Sequence, residues 1–257
     1  METTNTTVST LNVNMQDGTI QSAKVFYDEP SAKIMLLDNF VSEEQCAQLK
    51  SRSEKHLRRA TVNDSGKAKL SEARRADAGA APIDMNDPND ILADLKRKAF
   101  HFANEATGYG MELAGQEGFS VIKYDPRDEY LPHCDGDCTG IQHRQGGRVA
   151  TMVMYCEAAE EGGGTSFSNV DVFVNGKKGQ AAFFSYMGPD GRMDIGRTKH
   201  SGCPIRSGEK WIATLWMRLG VTEEEGWTGF DPEGVPREWI RQKRKREREG
   251  AAKGAEA

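Results

Sequence analysis

No run of about 18 apolar residues occurs in the chain, so no helical membrane span is expected. The first 22 residues, Met1 to Ser22, are polar and rich in Thr and Asn. They lack the apolar stretch of a signal peptide, and a cytoplasmic location is expected. Cysteine is sparse. Cys46, Cys134, Cys138, Cys156 and Cys203 are odd in number and scattered, do not read as a disulfide framework, and fit a reducing compartment better. Cys134 and Cys138 are near enough in sequence to pair or to share a zinc ion, but no second Cys/His pair completes a zinc site. No internal repeat is visible. Basic character is concentrated at one end: the net charge is -5, yet residues 236–257 hold eight Lys or Arg against four Glu. An acidic body argues against a nucleic-acid partner, and the basic tail reads as a solvated helix or a frayed end, with a nuclear-localisation or polyanion-binding role as the alternative.

What is present describes an ordinary globular protein of 257 residues, 37% hydrophobic and 28% charged, long enough for one large domain or two small ones. Ile34-Met35-Leu36-Leu37 reads as a strand. Ser42 caps a helix running to about Lys55, with Gln45 in the capping-box position. Residues 60–85, rich in Ala, Asp and Gly, read as a mobile loop able to close over a ligand. A second helix is expected from about Asn89 to Thr107, with Ile91, Leu92, Leu95, Ala99 and Phe102 at helical spacing. From Phe119 short β-rich runs follow one another, at Phe119–Tyr124, Val149–Tyr155, Val170–Val174, Ala181–Tyr186 and Trp211–Leu219, separated by Gly-, Asp- and Pro-rich turns. This pattern predicts a sandwich or barrel supported by the helices, an α+β fold. The chain is thus divided into a disordered arm (1–22), a domain (23–220, core about 119–219) and a polar C-terminal extension (221–257). Trp227, Phe230 and Trp239 of the extension are candidates to pack back onto the domain.

The chemistry centres on Tyr130-Leu131-Pro132-His133-Cys134-Asp135. In extended backbone residues i and i+2 face the same side, so His133 and Asp135 can reach one metal ion together. His200, several strands later, can complete a two-His-one-carboxylate face, the ligand set of non-haem iron(II) oxygenases. In Lys210-Trp211-Ile212-Ala213-Thr214-Leu215-Trp216, read as a strand, Lys210, Ile212, Thr214 and Trp216 share one side. A lysine pointing into a barrel is costly unless it meets an anion, and the distal carboxylate of 2-oxoglutarate is such an anion.

The order of these pieces resembles the catalytic domain of prolyl 4-hydroxylases. Tyr130, Pro132, His133 and Asp135 lead, followed by Gly147-Arg148-Val149-Ala150-Thr151 and Glu161-Gly162-Gly163-Gly164-Thr165-Ser166-Phe167. His200-Ser201-Gly202-Cys203-Pro204 and Gly208-Glu209-Lys210-Trp211 close the match. The resemblance implies a double-stranded β-helix, or jelly roll, and an iron(II)- and 2-oxoglutarate-dependent dioxygenase. Such an enzyme hydroxylates peptidyl proline, consuming O2, with ascorbate as reductant. It implies iron on His133, Asp135 and His200, with Lys210 counted among the catalytic residues. The 2-oxoglutarate tail would meet Lys210 with help from Tyr124 and Thr214, and Tyr130, Arg148 and Trp216 would line the peptide groove. Two features depart from the family: Arg218 stands where His is frequent, and the loop between Asp135 and Arg148 carries Cys138 and His143. A hydroxylase with another substrate, or a non-catalytic jelly-roll module binding a peptide, are the rival readings.

Overall fold

Short apolar runs pair into two facing antiparallel sheets in the computed structural model, which describes residues 7–64 and 67–255. The chain begins with β1 (Ser9–Asn14), β2 (Ile20–Glu29), β3 (Ala32–Leu37) and helix α1 (Glu43–Glu54). Five short strands follow: β4 (Arg58–Arg59), β5 (Thr61–Asp64), β6 (Lys67–Leu70), β7 (Arg74–Arg75) and β8 (Asp77–Ala81). Helix α2 (Ile91–Thr107) leads into β9 (Phe119–Tyr124), β10 (Glu129–His133), β11 (Arg148–Glu157), β12 (Glu161–Gly162), β13 (Thr165–Phe167) and β14 (Val172–Val174). Then come β15 (Ala181–Ser185), β16 (His200–Gly202), β17 (Ile205–Ser207), β18 (Lys210–Arg218) and helix α3 (Arg237–Ala255).

The larger sheet has the order β1-β2-β3-β15-β11-β18-β9-β8-β4, and the smaller β14-β13-β16-β10-β7. This is the jelly roll expected from the sequence. Alternation along β15 shows how the sheet is used. Phe183 meets Phe102 of α2 edge to face at 5.6 Å, while its neighbour Phe184 points the other way, onto Phe167 of the smaller sheet at 5.1 Å. Helices therefore cover one side of the large sheet and the functional side chains occupy the other. Covered on both sides, β11 is buried over all but its end residues, which is why it reads as a continuous apolar run.

Helix α1 starts at the predicted cap, and α2 starts at Ile91, close to the expected Asn89. Ser42 accepts from Gln45 N–H while the Gln45 side chain returns to the Ser42 N–H. Asp90 caps α2, and Gly108 ends it in the left-handed conformation, φ 73°.

Several expectations are overturned. Residues 9–22 are not a disordered arm: β1 and β2 form a hairpin around Asp17-Gly18, with Val13, Ala23 and Val25 turned inward. Residues 1–6 lie outside the described residues. Residues 60–85 are not a loop without structure but β5 to β8 and their turns, residues 65–66 lying outside the described residues. Their Ala/Gly composition has a packing cause, since a Cβ on Gly79 would lie 2.9 Å from the backbone of Ser53 and His56 at the end of α1. Val170 belongs to a 3-10 turn (Ser168–Val170), and the strand starts at Val172. Four of the five cysteines pair, Cys46 with Cys156 and Cys134 with Cys138, leaving Cys203 free. The first pair joins α1 to β11 across 110 residues, a partnership that no local spacing reveals. In the extension Phe230 is buried, but Trp239 on α3 is exposed. Among the described residues no helix is long and apolar enough to cross a membrane.

Candidate active site

β10 and β16 pair antiparallel with His133 opposite His200, so the smaller sheet presents two imidazoles side by side, ring centres 4.3 Å apart. The strand ends at His133, and the turn through Gly136 brings Asp135 beneath them. A Cβ on Gly136 would stand 2.8 Å from both the Arg148 carbonyl and the Tyr186 ring, so this approach requires glycine. Asp135 Oδ1 lies 3.5 Å from His133 Nε2, and Oδ2 lies 3.8 Å from His200 Nε2. One ligand atom from each of the three residues falls within 4.8 Å of the others.

The hydrogen bonds behind this triangle settle which atoms can donate to a metal. His133 Nδ1 faces the Leu131 carbonyl at 3.0 Å, and His200 Nδ1 faces the Thr198 carbonyl at 3.1 Å. A carbonyl only accepts, so each Nδ1 carries the proton and each Nε2 lone pair points into the triangle. Burial, reinforced by His133, pulls His200 down to about 4 despite the nearby Asp135, which keeps it a neutral ligand at physiological pH. Burial alone would raise Asp135, but His200, His133 and Arg148 outweigh it and hold the carboxyl well below the usual range. Thr151 Oγ1 donates to Asp135 Oδ2 at 2.8 Å and is itself within 3.1 Å of the Tyr186 hydroxyl. Two neutral imidazoles and one oriented carboxylate fit a divalent first-row metal.

Lys210 opens β18, opposite Tyr124 of β9. It is buried, donates to the Gly163 carbonyl at 2.5 Å, and has no carboxylate partner among the described residues. Burial pulls its ammonium down to about 8. A cavity lined by Lys210, Tyr124 and Thr214 is also lined by His133, Asp135 and His200. Lys210, Ile212, Thr214 and Trp216 all face it, as strand alternation predicts.

The three residues expected to line a peptide groove surround the cavity's mouth. Tyr130 stacks on the His133 ring, centroids 3.5 Å apart. Trp216 lies under the Arg148 guanidinium, 4.0 Å from its ring centre. Arg148 borders the groove, but its guanidinium is already engaged: it binds Glu117 Oε1 and Oε2 at 2.6 and 2.8 Å and reaches the Asp135 carbonyl at 3.2 Å. Glu117 also holds Arg218 at 2.7 Å, so the arginine that departs from the family pattern is a buried partner rather than a groove residue.

Sequence reasoning missed Thr151, Glu117, Tyr186 and Arg74. Arg74, from β7, lies over the Tyr130 ring at 4.8 Å and borders both the cavity and its mouth. Thr151 could have been found, since it sits in the conspicuous Gly147–Thr151 segment; the other three are distant in sequence and carry no local signal.

The sequence profile of the 2OG-Fe(II) oxygenase superfamily matches residues 119–218. Prolyl 4-hydroxylase 1 of Arabidopsis thaliana is 34% identical over 208 residues, 75% of this chain and 71% of that protein. Prolyl 4-hydroxylase subunit alpha-3 of Mus musculus is 30% identical over 188 residues, which are 72% of this chain but 33% of that longer subunit. The viral collagen prolyl hydroxylase of Paramecium Bursaria Chlorella virus-1, solved as its 2OG complex, superposes with a TM-score of 0.55 at 25% identity. That alignment covers 72% of this chain and 96% of the viral enzyme. With the profile match over the core strands and the extent of the Arabidopsis alignment, this chain belongs to the prolyl 4-hydroxylase family of 2OG-Fe(II) oxygenases.

Proposed function

We propose that the protein is an iron(II)- and 2-oxoglutarate-dependent dioxygenase that hydroxylates proline in a peptide or protein substrate. The observation that carries this reading is one cavity holding both a two-His-one-carboxylate triangle and a buried, carboxylate-free lysine. His133, Asp135 and His200 would hold the metal, which would supply the site for 2-oxoglutarate and O2. When bound, the iron couples O2 activation to decarboxylation of 2-oxoglutarate to succinate.

The chain's own residues do the binding and orienting. Lys210 pairs with the distal carboxylate of 2-oxoglutarate, exchanging the Gly163 carbonyl for a charged partner, and Tyr124 and Thr214 flank the same carboxylate. The carbonyls of Leu131 and Thr198 keep both imidazoles aimed, and Thr151 keeps Asp135 turned toward them. Tyr130 and Trp216 give the substrate proline two aromatic walls at the mouth. Ascorbate would serve as the reductant that keeps the iron in its iron(II) state. The acidic body favours peptides over nucleic acid. The two disulfides favour an oxidising compartment over the cytoplasmic location read from the sequence.

The test is 2-oxoglutarate turnover to succinate with iron(II) and ascorbate, with and without a proline-rich peptide, for the wild type and His133→Ala. The expected result is peptide-stimulated turnover with a gain of one oxygen atom on proline, lost in the variant. Turnover that no proline peptide stimulates would refute the substrate assignment. Absence of both turnover and iron binding would refute the enzyme and leave the peptide-binding module.

A further inference from the structure

The chain does not leave the domain after the family match ends. Arg218, the last residue of β18, donates through Nη1 to the carbonyls of Gly146 (2.5 Å) and Asp231 (2.7 Å). The Arg148 N–H donates to the Pro232 carbonyl at 3.0 Å. The Asp231 carboxylate then accepts the N–H groups of Glu233 and Val235, both at 2.9 Å, closing a tight turn with Gly234 at φ 81°. The Phe230 ring lies where a Cβ on Gly146 would sit, only 2.4 Å away, so the two segments are in direct contact. Residues 230–236 are therefore held by groups that belong to the core.

This anchoring has a consequence for the substrate. Pro232, Glu233 and Arg237 line the same cleft, about 490 Å³, as Tyr130, His133 and Trp216. The cleft also carries unmet hydrogen-bond donors, which the carbonyl groups of a peptide would satisfy. Arg74 and Trp216 line it too, Arg74 itself being buried. Each keeps a buried N–H, Nε and Nε1 respectively, without a partner among the described residues. Arg237 is tied by Nε to the Phe230 carbonyl at 2.8 Å, and Arg148 is already engaged by Glu117. The Glu233 side chain has no such tie among the described residues. Glu233 is exposed at the rim of the cleft, with Asp231 and Asp137 near it and Arg144 opposing them, so its carboxylate is free to meet a cationic side chain.

We propose that the turn at 230–237 forms a specificity wall of the substrate cleft, and that Glu233 selects peptides carrying lysine or arginine beside the target proline. The inference rests on the prolyl hydroxylase reading above and goes beyond it in naming the substrate class.

The experiment compares two proline peptides, identical except for lysine or glutamate beside the target residue. It measures kcat and KM for the wild type, Glu233→Gln and Glu233→Lys, with thermal unfolding run alongside. The wild type should favour the lysine peptide. Glu233→Gln should weaken that preference by about 5-fold, the upper range for an exposed ion pair. Glu233→Lys should reverse it, because attraction is replaced by like-charge repulsion. The change should fall on KM for the peptide and leave KM for 2-oxoglutarate in place, with the melting temperature preserved because Glu233 is exposed. Hydroxylation of both peptides with a preference that neither substitution moves would overturn the specificity wall alone. A wild type that hydroxylates no proline peptide would overturn it together with the function on which it rests.

Discussion

Replacing Glu117 by glutamine keeps the shape of a buried side chain and removes the one negative charge that holds two arginines together. Its carboxylate binds Arg148 through Nε (2.6 Å) and Nη2 (2.8 Å) and Arg218 through Nε (2.7 Å). The side chains of all three are at most 12% exposed. Lys96, also buried, adds a third cation close enough for Glu117 to raise it, although burial still leaves it at about 8. Without Glu117 the two guanidinium groups face each other in a poorly solvated space. Breaking a buried ion pair from one side costs about 3–5 kcal/mol. For a domain of this size about 1 kcal/mol lowers Tm by roughly 2–4 °C, so a fall of about 6–20 °C is expected in calorimetry near neutral pH.

The pH dependence sharpens this prediction. Burial alone would raise the Glu117 carboxyl, but Arg148 and Arg218 outweigh it and hold it below its ordinary value. A carboxyl lowered in the folded state stabilises fully above its unfolded pKa, about 4.3, and that contribution is lost as pH falls through the folded value. The gap between wild type and Glu117→Gln should therefore be constant from about pH 5 to 8 and narrow in acid, within the range where the fold survives. A loss below about 1 kcal/mol at pH 7, or a gap that widens in acid, would refute the reasoning. Peptide KM should rise in the same variant, because Arg148 backs Trp216 and holds the Asp135 carbonyl.

Other perturbations separate the remaining parts of the site. Thr151→Val removes the hydroxyl that orients Asp135; iron(II) affinity, read by metal titration, should fall about 10–100-fold, as for other outer-shell partners. Lys210→Met should raise KM for 2-oxoglutarate by about 10–150-fold, the range for a lost hydrogen bond to a charged group. In the wild type that KM should rise as pH passes about 8, since the free ammonium loses its proton there and the dianion loses its partner. Reducing the disulfides should lower Tm chiefly through Cys46–Cys156. It closes a loop of 110 residues, worth about 4–5 kcal/mol in the chain-entropy account, against about 2 kcal/mol for Cys134–Cys138. Cys134→Ser/Cys138→Ser and Cys46→Ala/Cys156→Ala melted separately would check that order.

What could be read in advance follows from how far each interaction reaches along the chain. His133 and Asp135 are legible because a two-residue alternation carries their geometry, and Lys210, Thr214 and Trp216 because one strand does. The helix start at Ser42 is legible for the same reason: a cap and its partner lie within one turn. The misses are pairings over distance. Cys46 meets Cys156 only because α1 docks beside β11, and Glu117 meets Arg218 only after β18 has crossed the sheet. Residues 60–85 misled through composition, since small side chains suit a flexible loop and a strand pressed against a helix equally well; Gly79 is the second case.

Arg218 shows why such misses gather around the site rather than in the core. As a sequence position it is a departure from the family pattern and suggests only an altered groove. In the fold it forms part of a chain of contacts: Glu117 orients Arg148 and Arg218, Arg148 steadies Asp135 and Trp216, and Arg218 pins the turn that carries Glu233. Asp135, Trp216 and the C-terminal turn thus share one buried carboxylate. A substitution at Glu117 should accordingly move stability, iron affinity and peptide KM together, whereas Glu233, at the free end of that chain, should move peptide choice alone.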